Sequence, residues 1–125
     1  MIFYGGATSA STEAIAGGGS FRVNVLAEDQ QEVCAAFASR TGDRFATGDW
    51  EFAAGEPPRP AGAAAWIDCS VEADFPAGDH RAVLGRVHSL AAPPHSSKPL
   101  VFHRGRLDRA CGLDVPTRSY SWRDV

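Results

Sequence analysis

The sequence predicts a mainly β protein, a small β-barrel or partly closed sheet carrying short helices. Three observations lead there. Residues 63–75 alternate with a period of two, setting Ala65, Ile67, Cys69, Val71, Ala73 and Phe75 against Trp66, Asp68, Ser70, Glu72 and Asp74, the pattern of a half-buried strand. Pro76-Ala77-Gly78-Asp79 then reads as a turn, and residues 80–90 return as a strand with Ala82 and Leu84 on one face and Val83 and Val87 on the other. Predicted strands outnumber helices, and a sheet made from these strands alone keeps open edges that invite pairing with another chain.

The remaining elements follow in order. Met1-Ile2-Phe3-Tyr4 is apolar from its first residue, as if the chain began inside a strand, and residues 5–10 form a loop of small residues. Ser11 caps a short helix over 12–16, which Gly17-Gly18-Gly19 stops, since each glycine costs a helix about 1 kcal/mol. Residues 21–26 form a strand with Phe21, Val23 and Val25 on one face and Arg22, Asn24 and Leu26 on the other. An amphipathic helix follows over 28–40, burying Val33, Ala36 and Phe37, with Glu28 and Asp29 at its positive N-terminal end. Residues 41–62 read as loop, anchored by Trp50 and Phe52, and residues 93–97 as another. A last strand covers 99–103 and ends at Arg104-Gly105. This divides the chain into a domain over 1–105 and a polar, irregular C-terminal tail over 106–125, with no internal repeat.

Composition bounds the function. With 125 residues, 44% hydrophobic and 22% charged, the chain is one globular domain's worth of polypeptide. No apolar run approaches the ~20 residues of a membrane span, and the N-terminus lacks the layout of a signal peptide. A net charge of −3 and a pI near 5.7 argue against a nucleic-acid partner. Cys34, Cys69 and Cys111 are odd in number, with no C-x-x-C pair; such thiols suit a reducing compartment, and the cytoplasm is expected. His80, His88, His95 and His103 lack metal-ligand spacing, so no metal is expected. No acid/base dyad or nucleophile–His pair stands out, and no catalytic residue is assigned. Gly17-Gly18-Gly19 lacks the residues that make a phosphate cradle. Asp68 and Glu72 read as a solvated strand face, Arg104 and Arg106 as surface, Trp50 and Trp66 as core or interface anchors.

Five blocks stand in an ordered series: Phe21-Arg22-Val23-Asn24-Val25-Leu26, Asp43-Arg44-Phe45, Trp66-Ile67-Asp68-Cys69, Gly78-Asp79-His80 and Phe102-His103-Arg104-Gly105. Together they resemble the flavin reductase-like family with an FMN-binding split barrel, in particular the small reductase components of two-component flavin-dependent monooxygenases. The resemblance runs from about Ile2 to Gly105, and Ser121-Trp122-Arg123-Asp124 extends it. It implies a homodimer of six-stranded barrels that binds FMN or FAD near the dimer interface. It also implies hydride transfer from NADH or NADPH to the flavin, and a partner monooxygenase that receives the reduced flavin. The cofactor carries that chemistry, and the protein supplies binding, stacking and exclusion of water.

Residue by residue, Tyr4, Gly5 and Gly6 resemble the segment whose backbone borders the flavin. Ser11 matches a phosphate-binding hydroxyl position, and Ala36 and Phe37 match further flavin-contact positions. His80 resembles the residue that meets the nicotinamide, and Phe102, His103, Arg104 and Gly105 match a stretch lining the nucleotide pocket. Read without the resemblance, His80 follows a turn and caps the hairpin. The sequence also departs from the family pattern. Ala10 stands where an Arg commonly precedes the serine, and His103 where a Tyr often precedes Arg-Gly. The family's first strands, with a Ser/Thr-rich phosphate loop and a Pro-Pro turn, would precede Ile2. The alternative reading is a non-catalytic flavin-binding or structural split barrel that lost the phosphate site with those strands.

Overall fold

A computed structural model describes residues 1–93 and 98–110. Cys111 and the Ser121–Asp124 match lie outside the described residues. The protein is mainly β, built on a four-stranded antiparallel sheet in the order β1-β6-β5-β2. Its strands are β1 (Ile2–Gly6), β2 (Ser20–Val25), β5 (Ala65–Ala77) and β6 (His80–Ala91). Two short ladders stand apart from it, β3 (Trp50–Glu51) with β4 (Arg59–Pro60), and β7 (Leu100–His103) with β8 (Arg106–Arg109). Two helices, α1 (Ala10–Gly18) and α2 (Gln31–Ala38), complete it.

The predicted long hairpin forms, with its turn shorter than expected. β5 runs on through Pro76 and Ala77, and only Gly78 and Asp79 separate the strands. Gly78 sits at φ +64°, matching a tight hairpin whose first turn residue is left-handed. The register slips between Asp68 and Cys69 and again between Val71 and Ala73. Such bulges bend a strand and increase its twist. The strict alternation read along 63–75 therefore breaks. Cys69 is buried, with Ile67 and Val71 packed beside it, whereas Phe75 is exposed.

The core gathers on one face of this curled sheet. Phe21, Cys69 and Val83 form its centre, with Phe3, Ile15, Val23, Ile67 and Val71 against them. Phe3 meets Phe21 edge to face at 5.3 Å between ring centroids. Burial pushes the Cys69 thiol's pKa up, leaving it a small apolar filler. Gly85 is required by packing: a Cβ there would lie 2.5 Å from Phe21 Cζ and 2.9 Å from Cys69 Cβ.

Several local expectations are corrected. Gly5 and Gly6 are not loop; they pair with Arg81 and His80 and finish β1. The cap of α1 is Ser9, whose Oγ accepts from the Thr12 amide, while Ser11 lies exposed in the first turn. The helix runs through Gly17 and Gly18 and ends where Gly19 turns left-handed at φ +80°. The second helix begins later than predicted, because backbone near its expected start is engaged elsewhere. Ala27 bridges Pro99, the Glu28 amide donates to Lys98 O at 2.8 Å, and Gln30 Oε1 accepts from the Ala27 amide. Residues 106–109, read as irregular tail, form β8, which pairs with β7 across an Arg104-Gly105 turn.

One polar cluster holds the 53–60 segment onto the outer face of β2. The Arg22 side chain is 8% exposed. Its Nε donates to Asp68 Oδ1 at 2.5 Å, Nη2 to Asp68 Oδ2 at 3.1 Å, and Nη1 to Pro57 O at 2.7 Å. Glu56 approaches Nη2 at 3.5 Å, and Asn24 Nδ2 donates to Pro58 O. Asp68 is thus no solvated carboxylate, and it is not paired with Glu72, which binds Arg86 instead. The Arg22 bond holds the Asp68 carboxyl below the ordinary carboxylate range against the opposing effect of burial.

Two outcomes follow. Gly85→Ala forces the Phe21 ring or β6 to move and lowers stability by about 1–3 kcal/mol in urea unfolding, with Gly17→Ala, exposed and with open space at its Cβ, as the comparison. For Asp68, the folded carboxyl ionises below its unfolded value. Its contribution is therefore complete above roughly pH 4 and is lost as pH falls through the lower folded value. Arg22→Met removes about 2–3 kcal/mol at neutral pH and flattens that acid-side loss. A variant whose unfolding midpoint falls as steeply with acid as the wild type's contradicts the assignment.

Candidate functional site

The loop that leaves β1 meets the tip of the β5–β6 hairpin. Gly6 pairs with His80 across the ladder, and the Ala7 amide donates to Asp79 O at 3.1 Å. The Ser9 amide donates back to Gly6 O at 3.0 Å, which starts α1 directly beyond this junction. A Cβ at Gly5 would lie 2.0 Å from Thr12 Oγ1, so glycine lets the helix pack flat on the strand. Beside the junction is a cleft of about 310 Å³, bordered by Ala7, Asp74, Phe75, Pro76, His80 and Arg81.

Its charges are sorted into pairs. Arg81 binds Asp74, and His80 Nδ1 lies 2.7 Å from Asp79 Oδ1. The bond to His80 holds the Asp79 carboxyl below the ordinary carboxylate range. Asp79 was the unassigned member of the Gly-Asp-His block; its proximity to a histidine was visible in the sequence, but the bond between the two was not.

A second cleft, of about 320 Å³, opens at the other end of α1. Ile15 and Ser20 border it, as do Asn24, Phe37, Phe45 and Trp50. Phe37 was expected to be buried, yet it is 40% exposed and packs against aromatic rings. It lies 5.2 Å from Trp50 and 5.4 Å from Phe45, centroid to centroid. Trp50 Nε1 donates to Thr47 O, and Trp50 is the expected anchor, while Phe52 is largely exposed. Phe45 and Trp50 were not assigned to a site, although Asp43-Arg44-Phe45 was one of the five blocks. Pro57 and Pro58 wall this cleft, held there by Arg22 and Asn24.

The structure therefore brings some predicted residues together and separates others. Gly5, Gly6 and His80 meet at one junction, with Ser11 in the first turn of the adjoining helix and Tyr4 exposed on β1. Phe37, on α2, borders the second cleft, and its neighbour Ala36 does not. Phe102, His103, Arg104 and Gly105 form the exposed tip of the β7–β8 hairpin, with φ +50° at Arg104 and +78° at Gly105. They border neither cleft. This hairpin is tied instead to the end of β2, where the Leu100 amide donates to Leu26 O.

These features fit a flavin at α1. The Ser9 and Ser11 hydroxyls stand at the start of α1, and Gly6 has room beside Ser9, next to the cleft that Ala7 and His80 border. Among the described residues, no group of three or more metal-ligating side chains converges, and no helix is long and apolar enough to cross a membrane.

Comparison with known proteins places this geometry. Residues 2–110 match the family profile described as the flavin reductase like domain. The chain is 44% identical, over 99% of its length, to the reductase subunit HsaB of a flavin-dependent monooxygenase from Rhodococcus jostii (strain RHA1), and it spans 62% of that relative. The crystal structure of a nitrilotriacetate monooxygenase component B from Mycobacterium thermoresistibile superposes with a TM-score of 0.83 at 38% identity, covering 98% of this chain and 68% of that one. The NADH:FAD oxidoreductase SgcE6 of Streptomyces globisporus C-1027, in complex with NAD and FAD fragments, superposes at 0.80 with 27% identity, covering 88% of this chain and 67% of that one.

Proposed function

From the chain's membership of the flavin reductase-like family, to which it belongs, we propose that it binds FMN or FAD and an NADH or NADPH co-substrate as a flavin reductase. The reduced flavin serves a partner flavin-dependent monooxygenase, and the active form is a homodimer in the cytoplasm. One observation carries the reading: the ladder pair Gly6–His80, with Ala7 bonded to Asp79, joins the end of β1 to His80 beside a single cleft, so two positions that resemble flavin and nicotinamide contacts stand together.

When bound, a flavin supplies the hydride acceptor, and the nicotinamide supplies the hydride. The chain's own residues bind and orient. The Ser9 and Ser11 hydroxyls at the start of α1 meet a phosphate, and Gly6, whose Cβ position has only Ser9 Cβ near it at 3.8 Å, permits close backbone approach. His80 offers a ring nitrogen to the nicotinamide carboxamide. Holding donor and acceptor at ~3–3.5 Å is the contribution asked of them.

A second reading has its own observation. The first turn of α1 carries Glu13 and no basic side chain, so nothing in that turn neutralises a phosphate. A non-catalytic split barrel with weak flavin affinity follows from that.

Rapid mixing of the protein with FMN and NADH separates the two. The oxidised-flavin absorbance bleaches if the chain is a reductase, and its persistence at every NADH concentration overturns that reading. Calorimetric titration with FMN gives submicromolar affinity under the first reading and weak or no binding under the second. His80→Ala raises KM for NADH about tenfold, equivalent to about 1.4 kcal/mol, and leaves FMN affinity in place.

A further inference from the structure

We propose that Asp79 is a positioning residue that holds the His80 ring in its Nδ1–H tautomer, leaving Nε2 as a hydrogen-bond acceptor for the carboxamide N–H of a nicotinamide. The function of that acceptor rests on the reading of His80 given above; the tautomer does not.

The argument starts from the carboxylate. An ionised Asp only accepts hydrogen bonds, so a neutral His80 ring 2.7 Å away at Nδ1 must carry its proton there. The lowered Asp79 pKa agrees with an ionised partner, and the other charges near the turn leave the bond alone. Arg81, the neighbouring cation, is taken by Asp74 on the opposite strand. Free imidazole in water favours the other tautomer, with the proton on Nε2, so the Asp79 bond reverses an intrinsic preference.

The turn fixes the geometry. Gly78 at φ +64° makes a tight two-residue connection, and His80 is locked in the ladder opposite Gly6. Asp79 is held from its other side as well, since its carbonyl accepts the Ala7 amide at 3.1 Å. One residue thus ties the flavin-bordering loop through its main chain and orients the histidine through its side chain. The Asp79 side chain is 94% exposed, so its role is directional and carries little stability.

Long-range proton–nitrogen correlation on the uniformly labelled chain, at about pH 8.5 where an ordinary imidazole is neutral, reads both ring nitrogens directly. His80→Gln identifies the signals. The wild type should show a protonated Nδ1 and a bare Nε2. Asp79→Ala should revert to the Nε2–H form, and Asp79→Asn, whose amide can turn its N–H toward Nδ1, should revert with it. A wild type already in the Nε2–H form, or one tautomer shared by wild type and Asp79→Ala, overturns the proposal. In steady-state assays Asp79→Ala should raise KM for NADH about tenfold, with the loss falling on KM more than on kcat, and Asp79→Asn should show the same loss. A normal tautomer pattern in a chain that binds no nicotinamide nucleotide rejects the nicotinamide role of His80 and leaves the positioning by Asp79 intact.

Discussion

The antiparallel ladder between β5 and β6 is the constraint from which the rest of the structure is arranged. Strands of 13 and 12 residues pair along nearly their whole length. Every other strand of the main sheet attaches to one of them, β1 to β6 and β2 to β5. Two bulges within the ladder bend it, which brings Phe21, Cys69 and Val83 together on the inside of the curl. The fit is close enough that Gly85 has no space for a side chain beneath the Phe21 ring. A straight ladder of the same residues would keep the alternation of 63–75 and leave Phe75 on the same face as Cys69.

The ladder also places the clefts. Its turn extends past the end of β1, so Asp79 and His80 arrive beside Gly6 and Ala7 at the start of α1. From there α1 packs back across the sheet, against β1 through the Gly5–Thr12 contact and into the core through Ile15. The aromatic cleft lies at its far end, where α2 and the 53–60 segment meet β2. Arg22 and Asn24, on the face of β2 away from the core, hold that segment and keep Pro57 and Pro58 as a wall. Backbone pairing sets one cleft and a half-buried polar cluster sets the other.

Much of this was legible along the chain, and the limits are instructive. The long hairpin, β2 and the existence of both helices follow from period and punctuation. Ser11 was mistaken for Ser9 because two hydroxyl residues in one small-residue run carry the same capping chemistry. Glu28 and Asp29 suit a helix start, yet α2 begins later, because Ala27 lies opposite Pro99 and the Glu28 amide is bonded to Lys98 O, some 70 residues later. The strands at Trp50–Glu51 and Arg59–Pro60 are two residues each, too short to show any period. Phe102 to Gly105 are expected to share a pocket with His80, yet among the described residues the two border no common cleft.

What the sequence alone determined is therefore local: the β character, the hairpin turn at Gly78-Asp79, and the family blocks with their order. These are properties of neighbouring residues, whose alternation and turn chemistry do not depend on what lies across the sheet. The tertiary structure alone decided which blocks meet. It set Gly6 against His80, tied Ala7 to Asp79, closed Arg22 on Asp68 and Pro57, and left the 102–105 turn at a separate exposed tip. Ladder register and bulge position fix those contacts, and both depend on pairing energies between strands far apart in the chain, which no window of sequence contains.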